Sequence, residues 1–280
     1  MSLYRLDGPI AVETPVVVAA FDGWVDAGAA ATTALALLAR DAVSVATFDG
    51  AQLFDYRARR PTLDIVDGRL ASLSWPEVTL RHARFGGRDL LVLSGAEPDD
   101  RWRALGDAVV ELIRRLDARG WVSLGAIPAA VPHTRAVPIL GTESAPGLLR
   151  GGIAPGPTGL LRVPSAALSM LEMAVAGAGI PAVGYFAQIP HYVTGPYAIA
   201  AVELLRALER HLGVDLPRGD LDDEARRLRV RLDAATAADE STHAYVERLE
   251  SMMDESRRPE GDDLISEIER FLRDRSGESS

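Results

Sequence analysis

Short apolar runs alternate with helix-like segments along residues 1–218. Runs bounded by turn residues predict buried strands, and apolar residues at helical spacing predict amphipathic helices. The predicted strands are 10–21, 43–48, 63–66, 70–73, 78–85, 90–93, 121–127 and 182–189, and the predicted helices are 27–40, 99–119, 165–178 and 197–212. This alternation predicts an α/β domain with a mostly parallel sheet flanked by helices, and an antiparallel excursion near residues 63–93.

The pattern changes after Pro217, where no further strand is predicted. Three apolar stripes at helical spacing follow, and the other faces of these segments are strongly charged. The stripes are Leu221, Ala225, Leu228 and Leu232; Val246, Leu249 and Met253; and Leu264 or Ile265 with Ile268 and Phe271. We therefore predict an α/β domain over residues 1–218 and a helical C-terminal appendage over 219–280, which packs on the domain or on another subunit.

Charge is unevenly distributed, and every basic side chain other than histidine is an arginine. The chain carries a net charge of −10, and residues 219–280 hold 18 acids against 10 arginines. Because there is no basic run, this balance argues against non-specific binding of nucleic acid. The absence of lysine excludes a Schiff-base or Walker lysine, and the absence of cysteine excludes disulfides and thiolate zinc sites.

The apolar pattern does not indicate export or insertion into a membrane. The longest apolar runs, 16–21 and 27–39, are too short to span a bilayer. Residues 1–8 lack the basic-then-apolar pattern of a signal peptide. We therefore expect a cytoplasmic protein with no membrane partner.

Polar side chains follow five of the predicted strands. In a parallel α/β sheet, ligands bind beyond the carboxyl ends of the strands, so these side chains could line one cleft. The candidate ligand-binding residues are Asp26, Arg57, Glu97, His133, Arg135 and His191. Structural roles compete with this interpretation, since Asp26 is well placed to cap the following helix, Arg57 can pair with neighbouring aspartates, and each histidine can serve as a hydrogen-bonded structural residue.

Familiar catalytic and cofactor motifs are missing. The chain has no GxGxxG segment after a strand, no P-loop, no HExxH and no GxSxG. Catalytic residues are therefore not identified, no cofactor and no metal site are predicted, and the balance is against an enzyme.

Several motifs along the chain are similar to those of the proteasome assembly chaperone family 2, in the form found in its uncharacterised actinobacterial members. They are Gly23-Trp24-Val25-Asp26-Ala27-Gly28, Asp55-Tyr56-Arg57 through Pro61, Gly95-Ala96-Glu97-Pro98-Asp99 with Trp102, Gly125 with Ile127-Pro128, Pro132-His133-Thr134-Arg135, Pro190-His191-Tyr192, and the tail from 261–264 through 269–272. The resemblance covers nearly the whole chain.

The resemblance implies an α/β fold of nucleoside-phosphorylase-like topology with helical additions. It also implies a homo-oligomer, with a trimer as one form, and a protein client or the proteasome as a partner. Relatives that bind the proteasome often end in a hydrophobic–Tyr–any tripeptide. The chain ends in Gly277-Glu278-Ser279-Ser280 instead, so docking by that route is not expected.

Two functional hypotheses remain. The first is a non-catalytic, chaperone-like oligomer that binds a protein client. The alternative is a protein or enzyme that binds a small anionic or nucleoside-like molecule in the strand-end cleft, with arginine as the only strong cation available to hold an anion.

Overall fold

The computed structural model describes residues 2–256. These residues contain ten strands and seven α-helices. The strands are β1 (Tyr4–Leu6), β2 (Val16–Asp22), β3 (Val43–Phe48), β4 (Thr62–Val66), β5 (Arg69–Ser74), β6 (Val78–Phe85), β7 (Arg88–Ala96), β8 (Gly120–Ala129), β9 (Ile139–Glu143) and β10 (Ala182–Pro190). The helices are α1 (Ala30–Ala39), α2 (Gly50–Leu53), α3 (Trp102–Arg115), α4 (Ala167–Gly177), α5 (Ala198–Leu212), α6 (Leu221–Ala238) and α7 (Glu240–Ser256), and a 3-10 turn (Ala27–Ala29) precedes α1.

Eight strands form one mixed sheet in the order β1-β3-β6-β7-β2-β8-β10-β9. Its centre, from β7 through β2 and β8 to β10, is parallel. Antiparallel pairings add β6, β3 and β1 on one side and β9 on the other. The predicted α/β fold is confirmed, and the carboxyl ends of the four central strands lie at one edge of the sheet.

Helices cover both faces of the sheet because the central strands are apolar on both sides. Along β2, Val18 and Ala20 face one core and Val17, Ala19 and Phe21 face the other. The first core is shared with α1, α5 and α6, and the second with α3 and α4. Trp121 of β8 is buried in the second core, where its indole N–H donates to Ser123 Oγ at 2.8 Å.

The C-terminal helices pack on the same chain. Leu221 and Leu228 of α6 are buried in the core shared with α5, and Val246 and Leu249 of α7 are buried as well. Two of the three predicted apolar stripes are therefore on helices, as expected. The third, at residues 264–271, lies outside the described residues, and the boundary at residue 218 stays a prediction.

β4 and β5 form a separate two-stranded antiparallel ribbon, hereafter the ribbon. Its turn is Asp67-Gly68, where φ is +49° and +75°, the left-handed geometry that an Asp-Gly hairpin turn favours. Every residue from 62 to 75 is exposed.

The element boundaries differ from the predictions in a few places. The first predicted strand is too long, since β2 begins only after Pro15, and Thr14 has a φ of +43°. The predicted helix 99–119 is shorter in the structure, and the predictions missed β1, α2 and β9. β9 lies in a stretch rich in glycine and proline, residues 136–164, for which no strand was predicted, and it pairs antiparallel with β10.

Candidate functional site

The six predicted site residues follow strands whose carboxyl ends share one edge of the sheet. Asp26 follows β2, Glu97 follows β7, His133 and Arg135 follow β8, and His191 follows β10. Arg57 follows β3 and the short helix α2. The contacts of each side chain show what it does within the chain.

Asp26 caps α1 from across the 3-10 turn. Its Oδ1 accepts the backbone N–H of Ala31 at 2.8 Å and that of Thr32 at 3.3 Å, and Oδ2 accepts the Thr32 hydroxyl. The side chain is buried, and this burial raises the pKa of the carboxyl, against the lowering effect of the three hydrogen bonds. Asp26 therefore satisfies amides of the first helical turn that would otherwise lack partners.

Glu97 joins two backbone segments at the end of β7. One carboxylate oxygen accepts the N–H of Trp24 at 2.7 Å, and the other accepts the N–H of Ala167, the first residue of α4, also at 2.7 Å. A side chain at Gly23 would collide with the Glu97 carboxylate, so the loop after β2 needs glycine there. Both oxygens of Glu97 thus already have a backbone partner.

Arg57 extends into solvent. Its side chain is 92% exposed, and its Nε lies 3.9 Å from Oδ1 of Asp55. The same Asp55 oxygen accepts the Arg57 backbone N–H at 2.9 Å. Arg57 therefore belongs to the surface beside the ribbon.

His133 is buried between Tyr192 and α6. The Tyr192 hydroxyl lies 2.7 Å from both the His133 backbone N and the His133 Nδ1. The hydroxyl accepts from the backbone N–H and can then donate to Nδ1, which leaves the imidazole proton on Nε2. Nε2 lies 3.2 Å from Oδ1 of Asp233, without the alignment of a hydrogen bond. Burial lowers the pKa of His133, although Asp233 acts to raise it.

Arg135 binds two acidic residues of α7. Its Nη1 lies 3.1 Å from Oε1 of Glu250, and its Nη2 lies 2.8 Å from Oδ2 of Asp254. The Nε–H donates to the other Asp254 oxygen at 3.3 Å, so the guanidinium grips this carboxylate at two points. The hydroxyl of the preceding residue, Thr134, also donates to Glu250.

His191 bridges the end of β8 and α7. Its Nδ1 lies 3.0 Å from the carbonyl oxygen of Ala129, which can only accept, so Nδ1 carries the proton. Its Nε2 lies 3.0 Å from the hydroxyl of Tyr245, which therefore donates to it. The rings of His191, Tyr192 and Tyr245 also pack edge to face, with centroids 5.8 to 6.1 Å apart.

The structure thus sorts the predicted residues into different local roles. His133, Arg135 and His191 hold α6 and α7 against the ends of β8 and β10, and we call these three residues and Tyr192 the helix-docking cluster. Asp26 and Glu97 hold backbone segments after β2 and β7. Whether any of them binds a ligand stays a prediction.

Sequence reasoning missed the acidic and aromatic partners on the C-terminal helices. They are Asp233, Tyr245, Glu250 and Asp254. The spacing of Glu250 and Asp254 places both on one helix face, but the sequence analysis recorded this face only as charged and assigned it no partner.

Cavities near the cluster are small. A cavity of about 220 Å³ lies between the His133 loop and the two helices, lined in part by His133, Asp233, His243 and Glu250. A larger groove of about 520 Å³ lies between α5 and α6. Within residues 2–256, no group of three His, Asp or Glu side chains is arranged to hold a metal ion. No helix in the described part of the chain is long and apolar enough to cross a membrane.

The sequence and fold of this chain are similar to those of known proteins. The sequence model of the PAC2 family matches residues 20–236. A search of curated proteins gave no match. The chain is similar to a crystal structure from Corynebacterium glutamicum, a protein of unknown function, with 29% identity, a TM-score of 0.86, and coverage of 92% of this chain and 99% of that one.

Two further solved structures share more than one third of their aligned residues with this chain. A Mycobacterium tuberculosis protein described as a proteasome-assembly chaperone homologue is 36% identical, with a TM-score of 0.75 and coverage of 82% of this chain and 99% of that one. A PAC2 family protein from Streptomyces avermitilis is 35% identical, with a TM-score of 0.73 and coverage of 83% of this chain and 99% of that one.

Proposed function

Because this chain belongs to the PAC2 family, we propose that it is a chaperone-like, non-catalytic oligomer that binds a protein client. The observation that carries the proposal is the 36% sequence identity with the mycobacterial proteasome-assembly chaperone homologue. This match covers 99% of that homologue and 82% of this chain. Components of the proteasome are the first clients to test, and the cytoplasm is the proposed location.

The strand-end edge supports a binding role over a catalytic one. Both oxygens of Glu97 accept backbone amides, and the guanidinium of Arg135 is engaged by two carboxylates of α7. A substrate would have to displace these contacts before either group could act on it. The alternative of a small anionic ligand at Asp26, Arg57, Glu97, His133, Arg135 and His191 is for this reason the less favoured proposal.

The proposed function is tested with the purified full chain and with separately purified proteasome α and β subunits of the same host. We expect the chain to bind one of these subunits and to change the rate at which the core particle assembles. Binding is measured by light scattering of the mixed components, and assembly by native gel electrophoresis over time. A bovine albumin control, also acidic, should do neither.

Recovery from the native host gives an independent result. The tagged chain should enrich a specific partner that excess untagged chain displaces. The proposal is overturned if the purified chain binds neither subunit and the tagged chain recovers only itself.

The alternative has its own test. Thermal unfolding is measured with nucleosides, nucleotides and inorganic phosphate, because a molecule that binds the native state must raise its stability by mass action. A rise in the unfolding temperature that is lost in both Arg57→Ala and Arg135→Ala would favour a small-molecule site.

A further inference from the structure

The groove between α5 and α6 combines an apolar part with a ring of charged side chains. Its volume is about 520 Å³, and its apolar part is formed by Ile199, Val202 and Ala225. Its charged part holds four arginines and two acids, a local charge of +2 in a chain whose net charge is −10. These charged residues are Arg206, Arg218, Arg226, Arg229, Glu203 and Asp222. We call this site the arginine groove.

The arginines of α6 still have capacity to bind carboxylates. Arg229 has no carboxylate within 4.0 Å among residues 2–256, and its Nη2 donates to the carbonyl oxygen of Arg135 at 3.5 Å. Arg226 contacts Asp223, one turn earlier on the same helix, and its side chain is 76% exposed. The two other arginines of the groove lie within 4.0 Å of acids on α5 and α6.

This combination fits an acidic amphipathic helix. Apolar side chains of such a helix are buried between α5 and α6, while its carboxylates form charge-assisted hydrogen bonds with the guanidinium groups. The α6 side of the groove extends from Asp222 to Arg229. These positions span about two helical turns, or roughly 11 Å at 1.5 Å per residue. A bound helix of two to three turns would cover the groove.

The chain contains a segment with this pattern. Residues 262–272, hereafter the C-terminal segment, lie outside the described residues and carry the third apolar stripe of the sequence. Residues 260–269 include five acids and no arginine. On a helix, Glu267 and Glu269 lie about 100° to either side of Ile268. If Ile268 faces the apolar part of the groove, carboxylates face the arginines on both sides.

The end of α7 lies close to the arginine groove. Asp254, in the last turn of α7, binds the guanidinium of Arg135, and the carbonyl oxygen of Arg135 accepts from Arg229 of the groove. A single residue therefore connects the end of α7 with the groove. Residues 257–261 then lead to the C-terminal segment. An extended chain covers at most about 3.5 Å per residue, so this connection reaches roughly 20 Å.

Covalent attachment favours this segment over a separate partner. A short connection gives a tethered segment an effective concentration in the millimolar range. A free protein that makes the same contacts would need a similar concentration to compete. The segment also gains from binding, because a helix of this length is marginal in water unless its apolar stripe packs on another surface.

We propose that the C-terminal segment binds as an α-helix in the arginine groove of its own chain, with Ile268 against Val202 and Ala225. Glu267 and Glu269 then face the arginines of the two groove sides. A client helix of the same chemistry can enter the groove only by displacing this segment. The proposal uses neither the client nor the oligomer of the proposed function, so the two can fail separately.

Pairs of introduced cysteines test the contact in the full chain. The chain has no cysteine, so two introduced thiols are its only ones. Ala225→Cys is combined with Ile268→Cys in one variant and with Ser266→Cys in the control, because Ser266 lies on the opposite side of the predicted helix from Ile268. Disulfide formation is followed in a glutathione redox buffer at low protein concentration, with circular dichroism as the check of folding.

The two pairs close loops of nearly equal length, so an unbound segment would close both at nearly equal rates. We expect the Ile268 pair to close about 10-fold faster or more, because binding holds Ile268 at the groove and points Ser266 away from it. Equal rates would overturn the proposal. A disulfide that joins two chains, seen as a doubled mass on a non-reducing gel, would assign the groove to a second copy and would also overturn it.

Charge reversal at two neighbouring positions tests the role of the arginines. Arg226 and Arg227 are both exposed on α6, and only Arg226 lines the groove. Amide hydrogen exchange of residues 262–272 is compared in the unmodified full chain, Arg226→Glu and Arg227→Glu. We expect protected amides in the unmodified chain, exchange that is severalfold faster in Arg226→Glu, and little change in Arg227→Glu.

This measurement does not depend on the cysteine variants. Amides of residues 262–272 that exchange in the unmodified chain as fast as those of an unstructured peptide would overturn the proposal. So would equal effects of the two charge reversals, since Arg227 does not line the groove. Client binding is measured separately, and a chain that binds no proteasome subunit but gives the expected exchange pattern would support this contact and remove the client part of the proposed function.

Discussion

Arg135 holds Asp254 at two points across 119 residues of sequence, with Nη2 2.8 Å from Oδ2 and Nε 3.3 Å from Oδ1. One residue comes from the loop after β8 and the other from α7. The loop at the strand ends and the last described helix are thereby joined.

The first prediction concerns the docking of α7. Arg135→Ala removes the guanidinium contacts to both Glu250 and Asp254. We expect amide exchange in α7 to rise severalfold, while exchange in the central strands stays unchanged. Arg135→Lys keeps the charge but cannot form the planar two-point contact, so its exchange should be intermediate. Equal α7 protection in wild type and Arg135→Ala would contradict this.

The second prediction compares two tyrosines of the same region. Tyr192→Phe removes the hydroxyl that accepts the His133 backbone N–H, which leaves this group without its partner. The expected loss in the free energy of unfolding is about 1–3 kcal/mol. Tyr245→Phe removes the hydroxyl that donates to His191 Nε2. Because His191 is exposed, its Nε2 can bind water instead, and the free energy of unfolding should fall by less than about 0.5 kcal/mol. Urea unfolding of both variants measures the difference.

The third prediction is a loss of stability in mild acid. Burial holds the pKa of His133 below its ordinary value of 6.5, so the unfolded chain takes up a proton before the folded chain does. Stability from this group is therefore complete above the unfolded value and decreases as the pH falls through 6.5 toward the folded pKa. One such proton contributes at most about 1.4 kcal/mol per pH unit.

Variants separate His133 from the other groups. His133→Gln should make the loss of stability between pH 7 and 5 shallower. Half-buried His211, whose pKa is also lowered by desolvation, keeps its own contribution to the loss of stability in that variant. Asp233→Asn should make the loss steeper, because the Asp233 carboxylate raises the pKa of His133. Urea unfolding across this pH range is the measurement, and a His133→Gln slope equal to that of the wild type would refute the assignment.

The fourth prediction concerns the cap of α1. Asp26→Ala removes the oxygens that accept the N–H groups of Ala31 and Thr32, and should cost about 1–2 kcal/mol at pH 7. Asp26→Asn keeps one acceptor and removes a buried charge, so it should cost less. If Asn and Ala were equally destabilising in urea unfolding, the hydrogen bonds to the helix would not be the cause.

The fifth prediction concerns the link between β7 and α4. Glu97→Ala leaves the N–H groups of Trp24 and Ala167 without their acceptor, and we expect a loss of about 2–4 kcal/mol. Glu97→Gln keeps one acceptor oxygen and should lose about half of that. Ordinary surface substitutions change the free energy of unfolding by about 0.5 kcal/mol or less. A change for Glu97→Ala within that range would show that these two amides bind water instead.

Much of the fold could be predicted because its signals are local. Val17 and Val18 are buried on opposite sides of β2, the Asp67-Gly68 turn joins two short strands, and the stripe of Leu221 and Leu228 lies on a buried helix face. Each of these depends on residues close in sequence. Asp26 was expected as a helix cap for the same reason, and its side chain does accept amides of α1.

The partners of the strand-end residues could not be predicted from the sequence. The charged positions of α7 show which side of the helix is polar, but not that the loop containing Arg135 lies over Glu250 and Asp254. That depends on how α6 and α7 turn back over the sheet. β9 was missed because its pairing with β10 is set by tertiary contact within a glycine-rich stretch.

The link between the loop after β8 and α7 has a consequence for synthesis on the ribosome. Asp254 leaves the ribosome 119 residues after Arg135, so the sheet strands up to β10 are available to pair before α7 exists. Contact between two residues so far apart in the sequence forms slowly compared with contacts between residues that are close in the sequence. During that interval the ends of β8 and β10 are exposed on the nascent chain, until α6 and α7 are made and cover them.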